Sequence, residues 1–260
     1  MVLLSFDIEE FDLPLEYGEA ISFEQQIKIS EIGLCRILDI LDETGVVATF
    51  YATANFIEHI SPQTRTRLSE GRHEIASHGY SHAQHHRGDY LRSRIRLEEL
   101  TGLPVRGYRM ARMQAIDHEA LLQAGYIYDS SLHPTFLPGR YNHLDKPRLP
   151  YREANGLLTL PASVVPKLRL PLFWLSMHHL PLWLYLRLVG YTARHDQYLN
   201  VYYHPWEFAD LRTTGLKLPY LITRNSGKAL CHRLSSLISY LRSQGHRFGT
   251  TSQYLEENVI

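Results

Sequence analysis

Two histidines four residues apart, His78 and His82, lie in the stretch SHGYSH directly after the strand-like run HEIAS at residues 73–77. Side chains at positions i and i+4 share one face of a helical turn, so both imidazoles could reach one metal ion. In a chain with 15 histidines this spacing alone is weak evidence, because exposed or packing histidines would give it too. A metal site therefore needs a third ligand.

A candidate for that ligand lies in SFDIEE, at residues 5–10. In an extended strand Asp7 and Glu9 point to one face and Glu10 to the other. Two imidazoles and the Glu9 carboxylate would leave coordination positions open for water and substrate, as catalytic zinc sites do. A capped turn at the end of a strand explains the two carboxylates equally well.

A further histidine, His204, ends a late strand in YYHPWEFAD and is followed by Pro205 and Trp206. A single histidine at such a position is more often structural than catalytic. The pattern becomes informative only if the fold brings this strand end close to the other candidates.

Strand-like and helix-like stretches alternate along the chain and would position these residues. Apolar runs predict strands at the N-terminus and at residues 46–52, 73–77 and 198–204. A helix begins after Ser22, whose spacing to Gln25 is that of a capping box, and ends at Gly45. Regular alternation calls for a parallel α/β sheet, whose strand ends commonly carry the chemistry. With no visible repeat or linker, we expect residues 1–260 to form one barrel-like domain.

Composition excludes some classes of function. Basic and acidic residues number 27 each, which argues against nucleic acid as a partner. Cys35 and Cys231 are far apart and form no CxxC motif, which suits reduced core residues. The start, MVLLSFDIEE, lacks the basic region of a signal peptide, so we expect a cytoplasmic protein.

An apolar segment at residues 170–191 contains two of the three tryptophans. It is interrupted by two prolines, two histidines and Arg187, so we do not expect it to span a bilayer. One interpretation is a pair of buried helices. The other is an apolar surface for peripheral contact with a membrane or with a lipid-linked substrate.

Five stretches taken together resemble the motifs of the polysaccharide deacetylases, carbohydrate esterases that hydrolyse N-acetyl groups on a deformed (β/α) barrel. In order they are SFDIEE, HEIASHGYSH, GYRMAR, YDSS and YYHPWEF. The segment KPRLPYREANGLLTLPAS, at residues 146–163, also resembles the branch associated with exopolysaccharide and capsule synthesis. The resemblance covers most of the chain and implies a seven-stranded, TIM-like deformed barrel.

The resemblance implies a role for each matching residue. Glu9, His78 and His82 would hold a divalent metal ion, with Zn²⁺ the expected one. Asp7 would be the general base, and Arg109 would orient it and hold it ionised. Metal ions of this kind polarise an amide carbonyl and acidify water.

The fourth and fifth motifs imply the acid of the reaction. His204 would be the general acid, supported by Asp129, because a neighbouring carboxylate raises the pKa of an imidazole. His133, which follows the fourth motif, could face the same pocket.

Four residues are expected to contact the substrate. Met110 and Trp206 belong to the third and fifth motifs. Arg148 and Tyr151 lie in the Pro-rich irregular region of residues 133–155, where loops over a barrel mouth commonly touch substrate. A surface lid would explain the last two equally well.

The implied function is a metal-dependent hydrolase that removes N-acetyl groups from an amino sugar of a glycan or glycan precursor. One alternative is a deformylase or deacetylase of a lipid-linked sugar, suggested by residues 170–191. Another is a catalytically weakened sugar-binding barrel, because Glu9 replaces the usual aspartate of the first motif and Ala111 the usual proline of the third.

Overall fold

A curled sheet forms the centre of the protein in the computed structural model, which describes residues 1–258. The strands are β1 Val2–Ile8, β2 Thr49–Ala52, β3 Glu74–Ser77, β4 Gly107–Tyr108, β5 Tyr128–Asp129, β6 Phe136–Leu137, β7 Tyr141–Asn142, β8 Tyr151–Arg152, β9 Leu158–Thr159, β10 Leu199–Tyr203 and β11 Phe248–Gly249. Their order in the large sheet is β10-β1-β2-β3-β4-β5-β9-β8, with β11 also paired to β1. Strands β6 and β7 form a separate hairpin.

Helices follow most of the strands and cover the outside of the sheet. They are α1 Leu13–Glu16, α2 Phe23–Thr44, α3 Ala54–His59, α4 Pro62–Glu70, α5 Asp89–Thr101, α6 His118–Gln123, α7 Trp174–His179, α8 Leu182–Asp196, α9 Pro205–Phe208, α10 Tyr220–Thr223, α11 Lys228–Ser243 and α12 Thr251–Glu257. Two short 3₁₀ turns lie at Ala111–Met113 and Leu211–Thr213.

The sheet curls into a deformed barrel. Seven neighbouring strands, from β10 to β9, pair in parallel, and β8 adds an antiparallel edge. The two ends of this path approach each other where the backbone N–H of Ser163 donates to the carbonyl of Asn200 over 2.8 Å. This architecture confirms the prediction of a deformed, seven-stranded, TIM-like (β/α) barrel.

Alternation along β1 explains how the strand both packs and carries chemistry. Leu4, Phe6 and Ile8 belong to the core, where the rings of Phe6 and Phe50 stack at 5.4 Å. Ser5 and Asp7 point the other way, and both accept hydrogen bonds from Arg109. Because successive side chains of a strand face opposite sides, one strand supplies a wall of the core and a wall of the site.

Helix α2 has the boundaries that its sequence predicts. Ser22 accepts a hydrogen bond from the backbone of Gln25, whose side chain accepts one in return. Gly45 ends the helix in the left-handed conformation, with φ of 59°. Gly33 allows the helix to lie against α9, since a Cβ atom there would be 1.7 Å from the carbonyl oxygen of Pro205. The helix thereby supports the strand end that carries His204.

Residues 170–191 form the buried helix pair that the first interpretation predicts. Helices α7 and α8 bury Met177, His178, Tyr185 and Val189, while Trp183 remains 62% exposed. Within residues 1–258 no helix is long and apolar enough to cross a membrane.

Candidate active site

The three predicted metal ligands lie together at the carboxyl ends of β1 and β3. Oε2 of Glu9 lies 3.2 Å from Nε2 of His78 and 3.1 Å from Nε2 of His82. All three donor atoms lie within 4.8 Å of one another, and Glu9 and His78 are buried. Two imidazole nitrogens and one carboxylate oxygen on a common centre are a donor set that suits a divalent ion such as zinc. These residues therefore fit the group that the resemblance implies.

The charges of this cluster depend on one another. Burial opposes the charge of Glu9, but His82, His78 and His204 lower the pKa of Glu9 to about 2. Burial likewise opposes protonation of His82, while Glu9 and Asp12 raise its pKa to about 9. Oε2 of Glu9 is buried and accepts no hydrogen bond, although both imidazoles lie near it. A divalent ion bound there would compete with the proton on His82.

Residues around the cluster hold two of the ligands in position. Nδ1 of His82 lies 2.7 Å from Oδ1 of Asp12, so Nε2 is the ring nitrogen that faces the cluster. Trp206 donates from its indole nitrogen to Oε1 of Glu9 over 3.3 Å, which leaves Oε2 for the histidines. Glu10 turns away and accepts from Thr53, as the alternation of the strand predicts.

Asp7 lies beside the cluster and is held by a buried guanidinium. Arg109 donates to Oδ1 of Asp7 over 2.6 Å, and also to Ser5 and to the backbone and hydroxyl oxygens of Ser130. Its guanidinium carbon lies 3.8 Å from the ring centre of Tyr51. Arg109 is therefore fixed from several sides and fixes one oxygen of Asp7, while Oδ2 faces His204.

Glu207, and not Asp129, supports His204. Nδ1 of His204 lies 2.8 Å from Oε1 of Glu207, and its Nε2 lies 3.9 Å from Oδ2 of Asp7. Burial opposes protonation of His204, but the hydrogen bond with Glu207 and the charges of Glu9 and Asp7 raise its pKa. The prediction that Asp129 supports His204 is wrong.

Asp129 instead fixes the third motif through a serine. Its carboxylate accepts from both the backbone and the hydroxyl of Ser131, and the Ser131 hydroxyl accepts from the backbone N–H of Met110 over 2.8 Å. Nε2 of His118 lies 3.6 Å from Oδ2 of Asp129. Along the sheet path four strands, β1 to β4, lie between the strand that carries Asp129 and the strand that precedes His204. The Asp129 carboxylate is hydrogen-bonded locally instead.

A cavity of about 340 Å³ opens above these residues. Asp7, Glu9, His78, His82 and His204 line it, and so do Met110 and Trp206. Apolar side chains form much of the remaining wall, namely Leu13, Met113, Leu137, Phe173, Trp174, Leu175, Tyr202, Leu221 and Ile222.

Arg148, Tyr151 and His133 do not line this cavity. Arg148 forms an ion pair with Asp196 at the end of α8, and Tyr151 lies in the edge strand β8. His133 is buried, with Nδ1 3.1 Å from the hydroxyl of Tyr141. Substrate contact by Arg148 and Tyr151 stays a prediction that this cavity does not support. The Pro-rich region presents its β6–β7 hairpin to the cavity, with Leu137 and Arg140 on the wall.

The third motif has an unusual backbone after Arg109. Ala111, in the position of the usual proline, begins a 3₁₀ turn in which Arg112 and Met113 have φ of 58° and 51°. Arg112 forms ion pairs with Asp12 and Glu16. These contacts hold the turn against the cavity, where Arg112 and Met113 both line the wall.

Comparison with known proteins agrees with this arrangement. Residues 31–121 match the family model for polysaccharide deacetylase, a range that contains His78, His82 and Arg109. Over this range the chain is similar to the polysaccharide deacetylases. A peptidoglycan deacetylase of Helicobacter pylori is 32% identical to it over 118 residues, which is 42% of this chain and 40% of the relative. The matched part thus spans less than half of that relative.

Several solved structures share the fold of this chain. A polysaccharide deacetylase from Mycobacterium smegmatis, described as putative, superposes with a TM-score of 0.66 at 18% identity, covering 98% of this chain and 90% of that one. A CE4 family pseudoenzyme from Bacillus anthracis superposes with a TM-score of 0.53 at 13% identity, covering 97% and 64%. At these identities the likeness shows a shared fold.

Proposed function

We propose that this protein is a metal-dependent hydrolase that removes N-acetyl groups from an amino sugar of a glycan or glycan precursor. One observation carries the proposal: a single cavity is lined by a cluster that suits a metal ion, by a carboxylate held by a buried arginine, and by an imidazole held by a buried glutamate. Residues 1–260 would act as one catalytic domain. The cytoplasmic location and the exopolysaccharide branch stay predictions.

The proposed metal site consists of Glu9, His78 and His82, with Zn²⁺ as the ion. A divalent ion there supplies a Lewis acid that polarises the amide carbonyl and acidifies water. Asp12 and Trp206 contribute by holding His82 and Glu9 in the orientation that the site needs.

Asp7 is the proposed general base. Oδ1 is engaged by Arg109, and Oδ2 is left to accept a proton as water adds to the carbonyl carbon. Arg109 keeps the carboxylate in this orientation and is itself too strongly hydrogen-bonded to move.

His204 is the proposed general acid. Since Glu207 engages Nδ1, the proton for the leaving amine is carried on Nε2, which faces the cavity. Breakage of the carbon–nitrogen bond then yields acetate and a free amino group on the sugar. A raised pKa keeps His204 protonated toward neutral pH, as this role requires.

A lipid-linked sugar remains a second candidate substrate, because apolar side chains line much of the cavity. Leu221 lies on its wall and is 51% exposed. An exposed leucine beside a sugar site could contact an apolar carrier group. Activity on soluble sugars but none on the same sugars in lipid micelles would eliminate this candidate.

The test of the proposal is acetate release from a panel of N-acetylated sugars by protein that is stripped of metal and then reloaded with Zn²⁺. We expect release only after reloading. Protein that binds glycans with metal present yet never releases acetate would instead be a sugar-binding barrel, which the replacements at Glu9 and Ala111 would then explain.

A further inference from the structure

A buried carboxylate lies between two imidazoles behind the cavity. One oxygen of Glu207 lies 2.8 Å from Nδ1 of His204, and the other lies 2.8 Å from Nε2 of His178. The backbone N–H of His204 also donates to Oε1 of Glu207, the oxygen that the His204 ring contacts. Glu207 and His178 are fully buried, so water does not compete for these contacts.

His178 itself is held at both ring nitrogens. Its Nδ1 lies 2.5 Å from the carbonyl oxygen of Arg224, opposite the contact of Nε2 with Glu207. Both neighbours are acceptors, so the ring satisfies both contacts when each nitrogen carries a hydrogen. Asn225 donates to the backbone oxygen of His178 and fixes the end of α7. The contacts join α7 to the segment after α10.

We propose that Glu207 is a positioning residue for His204, and that His178 holds Glu207 in the orientation this requires. The inference rests on the proposed function only in taking His204 as the acid of the reaction. It gives the apolar segment of residues 170–191 a part in the site that neither its hydropathy nor the deacetylase motifs indicate.

The surroundings of His204 leave Glu207 as its hydrogen-bonding partner. The ring of Trp206 stacks on His204 at 5.0 Å, and that of Trp174 meets it edge-on at 5.6 Å. The other charged groups that act on His204 are Asp7, 3.9 Å from Nε2, and Glu9. Aromatic rings restrict the tilt of the imidazole, while Glu207 determines which nitrogen faces the cavity.

The surroundings of His178 make it a donor to Glu207 that is hard to replace. The ring of Trp174 meets it edge-on at 5.9 Å, so one tryptophan packs against both histidines. The basic side chains of this region are Arg224 and Arg233, and burial together with their charges lowers the pKa of His179. Arg233 donates to backbone oxygens of α7 and of its C-cap residue. Glu207 is thus the acidic group that this basic region shares with the cavity.

Because two imidazoles share one carboxylate, changes at Glu207 and at His178 should shift the pKa of His204 in predictable directions. Burial opposes the charge of Glu207, but hydrogen bonds from His178 and His204 lower its pKa. Loss of the carboxylate removes the group that stabilises protonated His204. Replacing His178, whose two ring nitrogens both face acceptors, by a neutral donor leaves more of the carboxylate's charge to His204 and stabilises protonated His204 further. The two changes therefore move the titration of His204 in opposite directions, which a merely structural role would not do.

The experiment is an NMR titration of the His204 ring in full-length, Zn²⁺-loaded protein labelled at histidine, with the signal assigned through His204→Ala. In Glu207→Gln we expect the midpoint to fall by about one pH unit or more, as expected for loss of an adjacent opposite charge. In His178→Gln, whose amide keeps a donor near Nε2, we expect the midpoint to rise. His179→Gln is the matched control, because its ring contacts the carbonyl of Leu221 and not Glu207.

An unchanged midpoint in both test variants, or shifts of the same sign, would overturn the proposal. If Glu207→Gln does not fold, His178→Gln decides alone, with an upward shift in support and no shift against. The titration requires no turnover, so it separates the two conclusions. Shifts as expected in a protein that releases no acetate would defeat the proposed function and leave this inference standing, while an active enzyme with no shifts would defeat this inference alone.

Discussion

Arg109 and Asp7 form a buried ion pair, in which Nη1 lies 2.6 Å from Oδ1 and the arginine is fully excluded from solvent. The two residues are 102 positions apart in sequence, on β1 and directly after β4. Burial opposes the charge of Arg109, but Asp7 and the ring of Tyr51 raise its pKa. The pair therefore matters both for stability and for the site. Removing either partner would leave a buried charge without compensation beside the cavity.

The first prediction concerns the stability of this pair. Arg109→Met removes one partner and leaves a buried carboxylate without compensation, so the free energy of unfolding should fall by about 3–5 kcal/mol. Urea denaturation at 25 °C measures it. Arg106→Met is the control, since Arg106 is paired with Glu256 on the surface. A loss in Arg109→Met no larger than in the control would mean that water reaches Asp7.

A second prediction concerns the histidines of the metal cluster. Replacing both His78 and His82 by alanine should abolish stoichiometric metal, because only the Glu9 carboxylate of the three donors remains. Metal analysis of protein purified without chelator gives the answer. The control is His85→Ala combined with His86→Ala, from the same loop but outside the cluster. Unchanged metal content in the His78/His82 variant would place the ion elsewhere.

Asp12 yields a third prediction, because it orients His82 through Nδ1. Asp12→Asn keeps the shape of the side chain but weakens this support, so affinity for Zn²⁺ should fall by about 10- to 100-fold, the usual cost of losing such a partner. Competition with a chromogenic chelator measures the affinity. Asp210→Asn, outside the cluster, should leave it unchanged. Equal affinity in wild type and Asp12→Asn would show that His82 needs no such support.

Acid sensitivity provides a fourth prediction, which concerns His133. Burial, Arg109 and His143 lower the pKa of His133 to about 3, from 6.5 in the unfolded chain. Between these values the unfolded state binds more protons than the folded one, so stability falls as the pH falls, by up to about 1.4 kcal/mol per pH unit. His133→Phe removes this proton uptake. Its stability should therefore decline less than that of the wild type between pH 6.5 and pH 4.

Urea denaturation at a series of pH values checks the difference in slope. His86→Phe is the matched control, because His86 is exposed and its replacement should leave the slope as in the wild type. Parallel curves for wild type and His133→Phe would mean that the imidazole reaches water in the folded protein.

Much of the barrel and its centre could be predicted because both follow from local rules. The period of two along β1 puts Asp7 and Glu9 on one face. His78 and His82 lie in the irregular segment that follows β3, so the order of the motifs and not helix periodicity predicts their approach. The structure brings all four residues to one cavity.

Glu207 was within reach of the sequence but was missed. It lies three residues after His204, with Pro205 at the first helical position, which is the spacing of a capping box. In such a box the N3 carboxylate bonds the backbone of the capping residue, and here it reaches the ring as well. Assigning the supporting role to Asp129 by resemblance overlooked this nearer carboxylate.

His178, Arg148 and Tyr151 could not be placed from sequence, for a different reason. Their partners depend on where irregular chain returns to the barrel: Arg148 meets Asp196 on α8, and His178 meets Glu207 on α9. No periodicity specifies such contacts, because the intervening segments have no regular geometry. A histidine in an apolar run indicates only that some partner must be buried with it.

The last prediction separates the base from the acid. Asp7→Asn removes a proton acceptor without changing its shape, so turnover should fall by about 10²- to 10⁴-fold while the metal remains bound. His204→Ala should lower turnover as strongly. The two variants should differ in their pH dependence, since wild-type kcat/KM is expected to be bell-shaped and only its basic limb requires the proton on His204.

The sign follows from the environment of His204. Glu207, Glu9 and Asp7 raise the pKa of His204 against the effect of burial, so the basic limb should lie above the ordinary histidine value, and activity should be lost as the pH rises through it. His204→Ala should flatten that limb alone, in assays of acetate release across the pH range with metal content measured in parallel. A basic limb that survives in His204→Ala, or full activity in Asp7→Asn, would make these residues structural, and the protons would then have to move through another pair of groups lining the cavity.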